Sequence, residues 1–484
     1  MRLTGPVGLV GVLVLSAACG GSGLPPQSDP IALTPCHLER LAEEVLCGTH
    51  DVYEDRAAQA GRRLTIHVAV MPALRRSGEP DPLFILAGGP GQGARGFAPA
   101  AARYFRKVRR TRSVVLVDLR GTGASAPLDC HGNDDDLARL SSLGEPADVA
   151  RCAADLAADP RHYTHAEALA DLDDVRHRLG YRRINLWGGS WGTRAALLYA
   201  LTYPDSVRTV VLDGAVPLSM EFPRAAATTA ERAFEQLLSA CRAEPSCANA
   251  HATTGADFRA WLARLDRSLE IQIKHPRTGV PTPATLSRDG IAEIVRVALY
   301  TPGDAARVLQ IIRHAMEGDF APLLAQAVRS ASWSTDDMAL GQTMAILCSE
   351  DLPLVRGANF ARDAAGTFAG ASYAELWRQR CAHWPAGSPI AIDRTGTSSV
   401  PALILSGEHD PVTPPETGDA MGRHFPNHQH VVVPGAAHNA SFSGCVPDLI
   451  AEFIDRGSAA GLDTSCVQRV AWPPAVTSDA GTAP

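Results

Sequence analysis

A strand that turns straight into a helix leaves few folds open to this chain. Ile184-Asn185-Leu186-Trp187 is an apolar run of strand type, and Ala195 to Ala200 is an alanine-rich run of helix type. Between them lies G-x-S-x-G, read as Gly188, Ser190 and Gly192. So sharp a turn puts the serine into strained backbone angles, and the flanking glycines let strand and helix approach each other. The outcome is a hydroxyl raised above a sheet, at the positive end of a helix where an oxyanion is stabilised.

The surrounding chain supplies such a sheet. Arg63 to Met71 alternates apolar and polar residues, as a half-buried strand does. Leu83-Phe84-Ile85-Leu86 and Val114-Val115-Leu116-Val117 are continuous apolar runs, the mark of strands buried on both faces. The first empties into Gly88-Gly89-Pro90-Gly91, where backbone N–H groups can come close to a ligand. The second empties into Asp118-Leu119-Arg120-Gly121-Thr122-Gly123-Ala124-Ser125-Ala126-Pro127. Pro127 rules out a dinucleotide-binding helix there, so this reads as a structural loop built on an Arg120 ion pair. Strands alternate with helices up to Val207–Leu212, which predicts a mostly parallel sheet with helices on both faces.

The rhythm then changes. Residues 217–395 read as almost wholly helical, an inserted cap; Thr301 and Pro302 mark one helix start. The sheet resumes in 396–470 with Ala402 to Ser406 and His430 to Val433. Residues 61–216 form the first half of the core. Residues 20–60 are a tether and a lead-in with a short helix, and 471–484 a mobile tail.

Asp410 follows the first resumed strand and His438 the second. The order Ser190, Asp410, His438 is that of α/β-hydrolases, with every member just past a strand end. Serine needs a base to become a nucleophile, histidine serves as base and then acid, and a carboxylate fixes its tautomer. Glu408 is a competing acid nearer the strand. The oxyanion would be met by the N–H groups of Trp191 and Gly89.

Gly88-Gly89-Pro90-Gly91, Asp118-x-Arg120-Gly121-x-Gly123-x-Ser125, Gly188-Gly189-Ser190-Trp191-Gly192 and Gly407-x-x-Asp410-x-x-Thr413-Pro414 together resemble the prolyl iminopeptidase family of serine peptidases. The chain is most similar to its secreted, tripeptidyl aminopeptidase-like bacterial branch. That resemblance implies the α/β-hydrolase fold with a helical cap, no cofactor, and peptide substrates with a free N-terminus. It also implies cap carboxylates that bind the substrate's α-ammonium, for which Glu350, Asp351 and Glu221 are candidates. Ala87 stands where prolyl iminopeptidases carry histidine, which argues against strict specificity for an N-terminal proline. The same scaffold also carries carboxylesterases and lipase-like hydrolases.

Composition bounds the setting. A net charge of -7 argues against nucleic-acid binding. Residues 1–19 read as a signal peptide ending at Ala17-Ala18-Cys19, with Cys19 as a lipidation site and simple secretion as the alternative. Membrane contact would come only through that anchor. Eleven cysteines leave ten once Cys19 is set aside. Neighbours in sequence suggest Cys36–Cys47, Cys130–Cys152, Cys241–Cys247, Cys348–Cys381 and Cys445–Cys466, in keeping with an exported, oxidising setting. The 16 histidines show no metal-ligand spacing, so no metal site is expected.

Overall fold

The computed structural model describes residues 29–75, 78–130, 146–334 and 338–478. The signal-peptide and Cys19 expectations lie outside the described residues. Eleven strands are present among them: β1 (Thr34–Cys36), β2 (Val45–Asp55), β3 (Ala60–Met71), β4 (Leu83–Leu86), β5 (Val114–Val117), β6 (Ile184–Gly189), β7 (Val207–Asp213), β8 (Leu269–Lys274), β9 (Pro281–Leu286), β10 (Ala402–Gly407) and β11 (His428–Val433). Nine form one sheet in the order β1-β2-β3-β5-β4-β6-β7-β10-β11. The β1, β2, β3 and β5 pairings are antiparallel. From β5 to β11 every pairing is parallel. All the parallel strands therefore end on one edge.

Burial explains the strand sequences. Every residue of β4, β5 and β6 is buried, because helices cover both faces. Helices His165–Arg178 and Trp191–Thr202 pack on one face through Leu172, Val175 and Leu197. Helices Ala98–Tyr104 and Val446–Arg456 pack on the other through Ala101, Leu449 and Phe453. The cap has a core of its own, in which the Phe234 ring lies 5.1 Å from Phe368 and 5.9 Å from Phe258. Thr301 caps helix Pro302–Met316 by accepting the Asp304 N–H.

Three expectations are corrected. The lead-in is not helical: β2 pairs with β3 from Leu46↔Val70 to Tyr53↔Arg63, and this long ladder outweighs local helix preference. The segment 217–395 is not wholly helical, for β8 and β9 form a two-stranded antiparallel hairpin within it. The described part of the tail is seated. The Trp472 ring lies 4.0 Å from His409 in the core. Val476 donates its N–H to the Ala306 carbonyl of the cap at 2.8 Å, and its own carbonyl lies 3.0 Å from His251 Nε2. Residues 472–476 thus strap cap to core.

Five disulfides join Cys36–Cys47, Cys130–Cys152, Cys241–Cys247, Cys348–Cys381 and Cys445–Cys466. No helix among the described residues is long and apolar enough to cross a membrane.

Candidate active site

Ser190 stands between β6 and helix Trp191–Thr202 with φ 53 and ψ −121. Few residues other than glycine hold a positive φ, and such strain gathers where a side chain must be aimed. The flanking glycines are needed for space. A Cβ on Gly192 would fall 2.1 Å from the Leu86 carbonyl oxygen, and one on Gly188 would fall 2.4 Å from the Gly192 oxygen. The Gly88-Gly89 loop lies against the elbow, since a Cβ on Gly88 would sit 3.1 Å from Ser190 Cβ. Gly89 takes φ 112 beside it. Trp191 opens the helix directly after the serine, so its N–H belongs to the first turn.

Asp410 is fully buried after β10 and takes three local hydrogen bonds. Its Oδ1 accepts the Val412 and Thr413 N–H groups at 2.8 Å each, and its Oδ2 accepts the Thr413 hydroxyl at 2.7 Å. The same Oδ2 lies 2.9 Å from His438 Nδ1. Glu408 makes no such contact; its carbonyl instead receives Arg232. Burial alone would raise the Asp410 carboxyl, but the charge and hydrogen bond of His438 outweigh it and hold the carboxyl below its usual range. Burial likewise pulls His438 down, and Asp410, with Asp213 behind it, lifts it above the ordinary histidine value of 6.5.

Asp213 is a functional position that sequence reasoning passed over. It ends β7, and its carbonyl accepts the Ser190 N–H at 2.8 Å. Its carboxylate accepts the N–H groups of Ala440 and Ser441 at 2.7 and 2.8 Å. The next residue, Gly214, would place a Cβ 3.2 Å from His438 Cε1. One dipeptide therefore touches both the serine elbow and the histidine loop. Burial pushes the Asp213 carboxyl up to about 6, against the pull of its Ser441 and Ala440 bonds. The available signal was a carboxylate closing a buried strand beside the elbow strand.

A family model described as alpha/beta hydrolase fold matches residues 81–444, which span β4 to the loop beyond His438. The chain belongs to the alpha/beta hydrolase fold family. Within that family it is similar to serine protease Hip1 of Mycobacterium tuberculosis, 25% identical over 511 residues that take in 95% of each chain. It is also similar to a proline iminopeptidase of Neisseria gonorrhoeae, 31% identical over 140 residues, 28% of this chain and 34% of that protein. Among solved structures, proline iminopeptidase of Mycobacterium smegmatis aligns with a TM-score of 0.39 at 16% identity, covering 84% of this chain and 98% of that one.

This alpha/beta hydrolase keeps its cap carboxylates unequally available. Glu350 accepts the His165 N–H at 2.9 Å and lies 2.6 Å from His165 Nδ1. Asp351 is fully buried and takes Arg194 through bonds of 2.9 and 3.0 Å. Arg194 in turn donates to the carbonyls of Pro217 and Met220 and lies 4.4 Å from the Trp191 ring centroid. Diverting Asp351 to a ligand would strand the buried Arg194 cation, at a cost of about 3–5 kcal/mol, and diverting Glu350 would strip a buried backbone N–H and imidazole nitrogen of their partner. Asp351 thus braces the entry of the cap through Arg194, and Glu350 ties the cap to the core helix at His165. Glu221 is more accessible: its Oε2 accepts Arg224 Nη1 at 2.8 Å but its side chain is 35% exposed, and it precedes Phe222, whose ring lies 5.8 Å from Trp191.

The His438 environment gives a pH expectation. Only neutral imidazole can accept a proton, so kcat/KM should rise with pH through the His438 pKa. Asp410 and Asp213 place that inflection above 6.5. A profile of kcat/KM from about pH 5 to pH 9 checks it; an inflection at or below the free-imidazole value would mean that His438 is not the titrating base.

Proposed function

We propose that the protein is an exported serine aminopeptidase that cleaves peptides from a free N-terminus through an acyl-enzyme. Ser190 Oγ attacks the scissile carbonyl carbon as His438 Nε2 takes its proton, and the carbonyl π pair moves onto oxygen. The N–H groups of Gly89 and Trp191 receive that oxyanion. Collapse breaks the C–N bond, and His438 returns the proton to the leaving amine nitrogen. Water then repeats the sequence on the ester, freeing Ser190. Asp410 holds His438 in the tautomer with Nε2 unprotonated. Glu221 is proposed to meet the α-ammonium.

The observation that carries this reading is the 2.9 Å Asp410–His438 contact, set on the Asp213-Gly214 step that also holds Ser190. Peptide chemistry is favoured over esters by the similarity to a serine protease along nearly the whole chain. The paired cysteines support export, with Cys19 as the proposed anchor or Ala18 as the last residue removed.

The test pairs free and N-acetylated tripeptidyl anilides with a short-chain nitrophenyl ester. A kcat/KM at least about 10-fold higher for the free amine than for its acetylated twin supports the aminopeptidase. Turnover of the ester alone favours the carboxylesterase or lipase-like alternative.

A further inference from the structure

The cap reaches the histidine through one residue. Tyr300 lies between helices Arg288–Ala298 and Pro302–Met316. Its carbonyl accepts the His438 N–H at 3.1 Å. Its ring meets the imidazole edge-on, with centroids 5.1 Å apart and planes at 69°. Behind it, Arg296 Nη1 donates to the Tyr300 hydroxyl at 3.0 Å. The Arg296 side chain is 6% exposed and is gripped by Glu293 through bonds of 2.7 and 2.6 Å. It also lies 4.8 Å from the Tyr373 ring centroid. Tyr373 continues the wall to Phe222, and Phe222 to Trp191. A wall of rings, bridged between Tyr373 and Tyr300 by the Arg296 guanidinium, therefore runs from the residue beside Ser190, round the cap, to His438.

Asp410 and the Thr413 hydroxyl both meet the imidazole at Nδ1, 2.9 and 3.3 Å away, so these polar contacts hold one corner of the ring. A proton acceptor displaced by about 1 Å can lose 100-fold in rate. Tyr300 adds an apolar contact to the ring itself and so limits its tilt. Its own backbone is fixed, because Thr301 next to it caps the following helix. We propose that Tyr300 is a positioning residue through which the cap holds His438 at its working angle. The proposal rests on His438 being the base of the reaction above. The charged and titratable groups that face His438 are Asp410 and Asp213 from the core, and Arg296 and Tyr300 from the cap.

The experiment uses the full chain, with active sites counted by a fluorophosphonate and rates on a free tripeptidyl anilide. Tyr300→Ala is expected to lower kcat per titrated site by about 10- to 100-fold while KM moves less than about 3-fold. Opening the ring edge to water favours imidazolium, so the acid limb of kcat/KM should move to higher pH. Tyr300→Phe keeps ring and carbonyl and should recover to within about 3-fold of the parent. Wild-type kcat and acid limb in Tyr300→Ala would overturn the proposal, as would a Tyr300→Phe no better than Ala. If Tyr300→Ala yields no titratable sites, Tyr300→Leu takes its place and is read the same way. Activity surviving in Ser190→Ala would sink the underlying reaction instead, so the two failures are distinguishable.

Discussion

Ser190→Ala is expected to lower kcat by about 10⁶-fold and leave the fold standing. In the proposed reaction the Ser190 oxygen forms the covalent bond, so alanine removes the attacking atom. A preserved oxyanion site would still give about 10³- to 10⁴-fold over water, so a faint residue is expected. Alanine tolerates the strained φ of position 190 no worse than serine does, and the Ser190 N–H to Asp213 carbonyl bond survives the change. The thermal midpoint should therefore stay close to the parent's. His438→Ala should cost a similar factor, and the double variant little more, because the two residues act as a unit. Anilide turnover read beside a melting curve tests all three. Near-normal turnover in Ser190→Ala would remove the mechanism altogether.

Asp171→Ala should destabilise the protein by about 3–5 kcal/mol without touching the site. Arg120 has no solvent exposure, and its guanidinium binds Asp171 through Nε at 2.6 Å and Nη2 at 2.9 Å. It also donates to the carbonyls of Glu54 and His162 at 2.8 Å each. Asp171 serves a second cation, Arg56, at 2.7 Å. Removing the carboxylate leaves the guanidinium buried and uncompensated. Replacing both partners, as in Arg120→Met with Asp171→Leu, should cost less than the single change, since the stranded charge goes too. Denaturant midpoints with disulfides intact give the comparison. A double variant less stable than Asp171→Ala would mean that the pair's geometry, and not the unpaired charge, sets the cost.

These two sites show which parts of the molecule were legible in the sequence. The Arg120 ion pair could be inferred, because a charged residue in a glycine-rich loop after a buried strand needs a partner. Its partner could not, since Asp171 sits on a helix remote in the chain. The edge positions of Ser190, Asp410 and His438 were readable because each follows a short apolar run that can only be a buried strand. Asp213 meets the same criterion, yet a lone acid before glycine looks like an ordinary turn. For Glu350 and Asp351 the sequence shows a carboxylate but not the His165 or Arg194 that each meets in the fold.

The strand errors have local causes. Leu38, Leu41 and Val45 are spaced as on a helix, but the pairing of β2 with β3 is a long-range gain that no local window contains. In β8, Leu269, Ile271 and Ile273 alternate plainly. Its partner β9 is disguised by Pro281 and Pro283, which only an edge strand tolerates. The wall from Trp191 through Phe222 and Tyr373 to Tyr300 joins residues from four separate stretches, so no motif announces it.

The strap of residues 472–476 bears on the order of events during biogenesis. Those residues come after every other element of the fold, and they tie His409 of one region to Ala306 and His251 of the other. A nascent chain can bring its sheet and its inserted helices together through Tyr300, Asp351 and Glu350, but cannot add this last fastening until the late segment has emerged. A polypeptide cut short just after Cys466 would carry every chemical group of the site with one tie between lid and core missing.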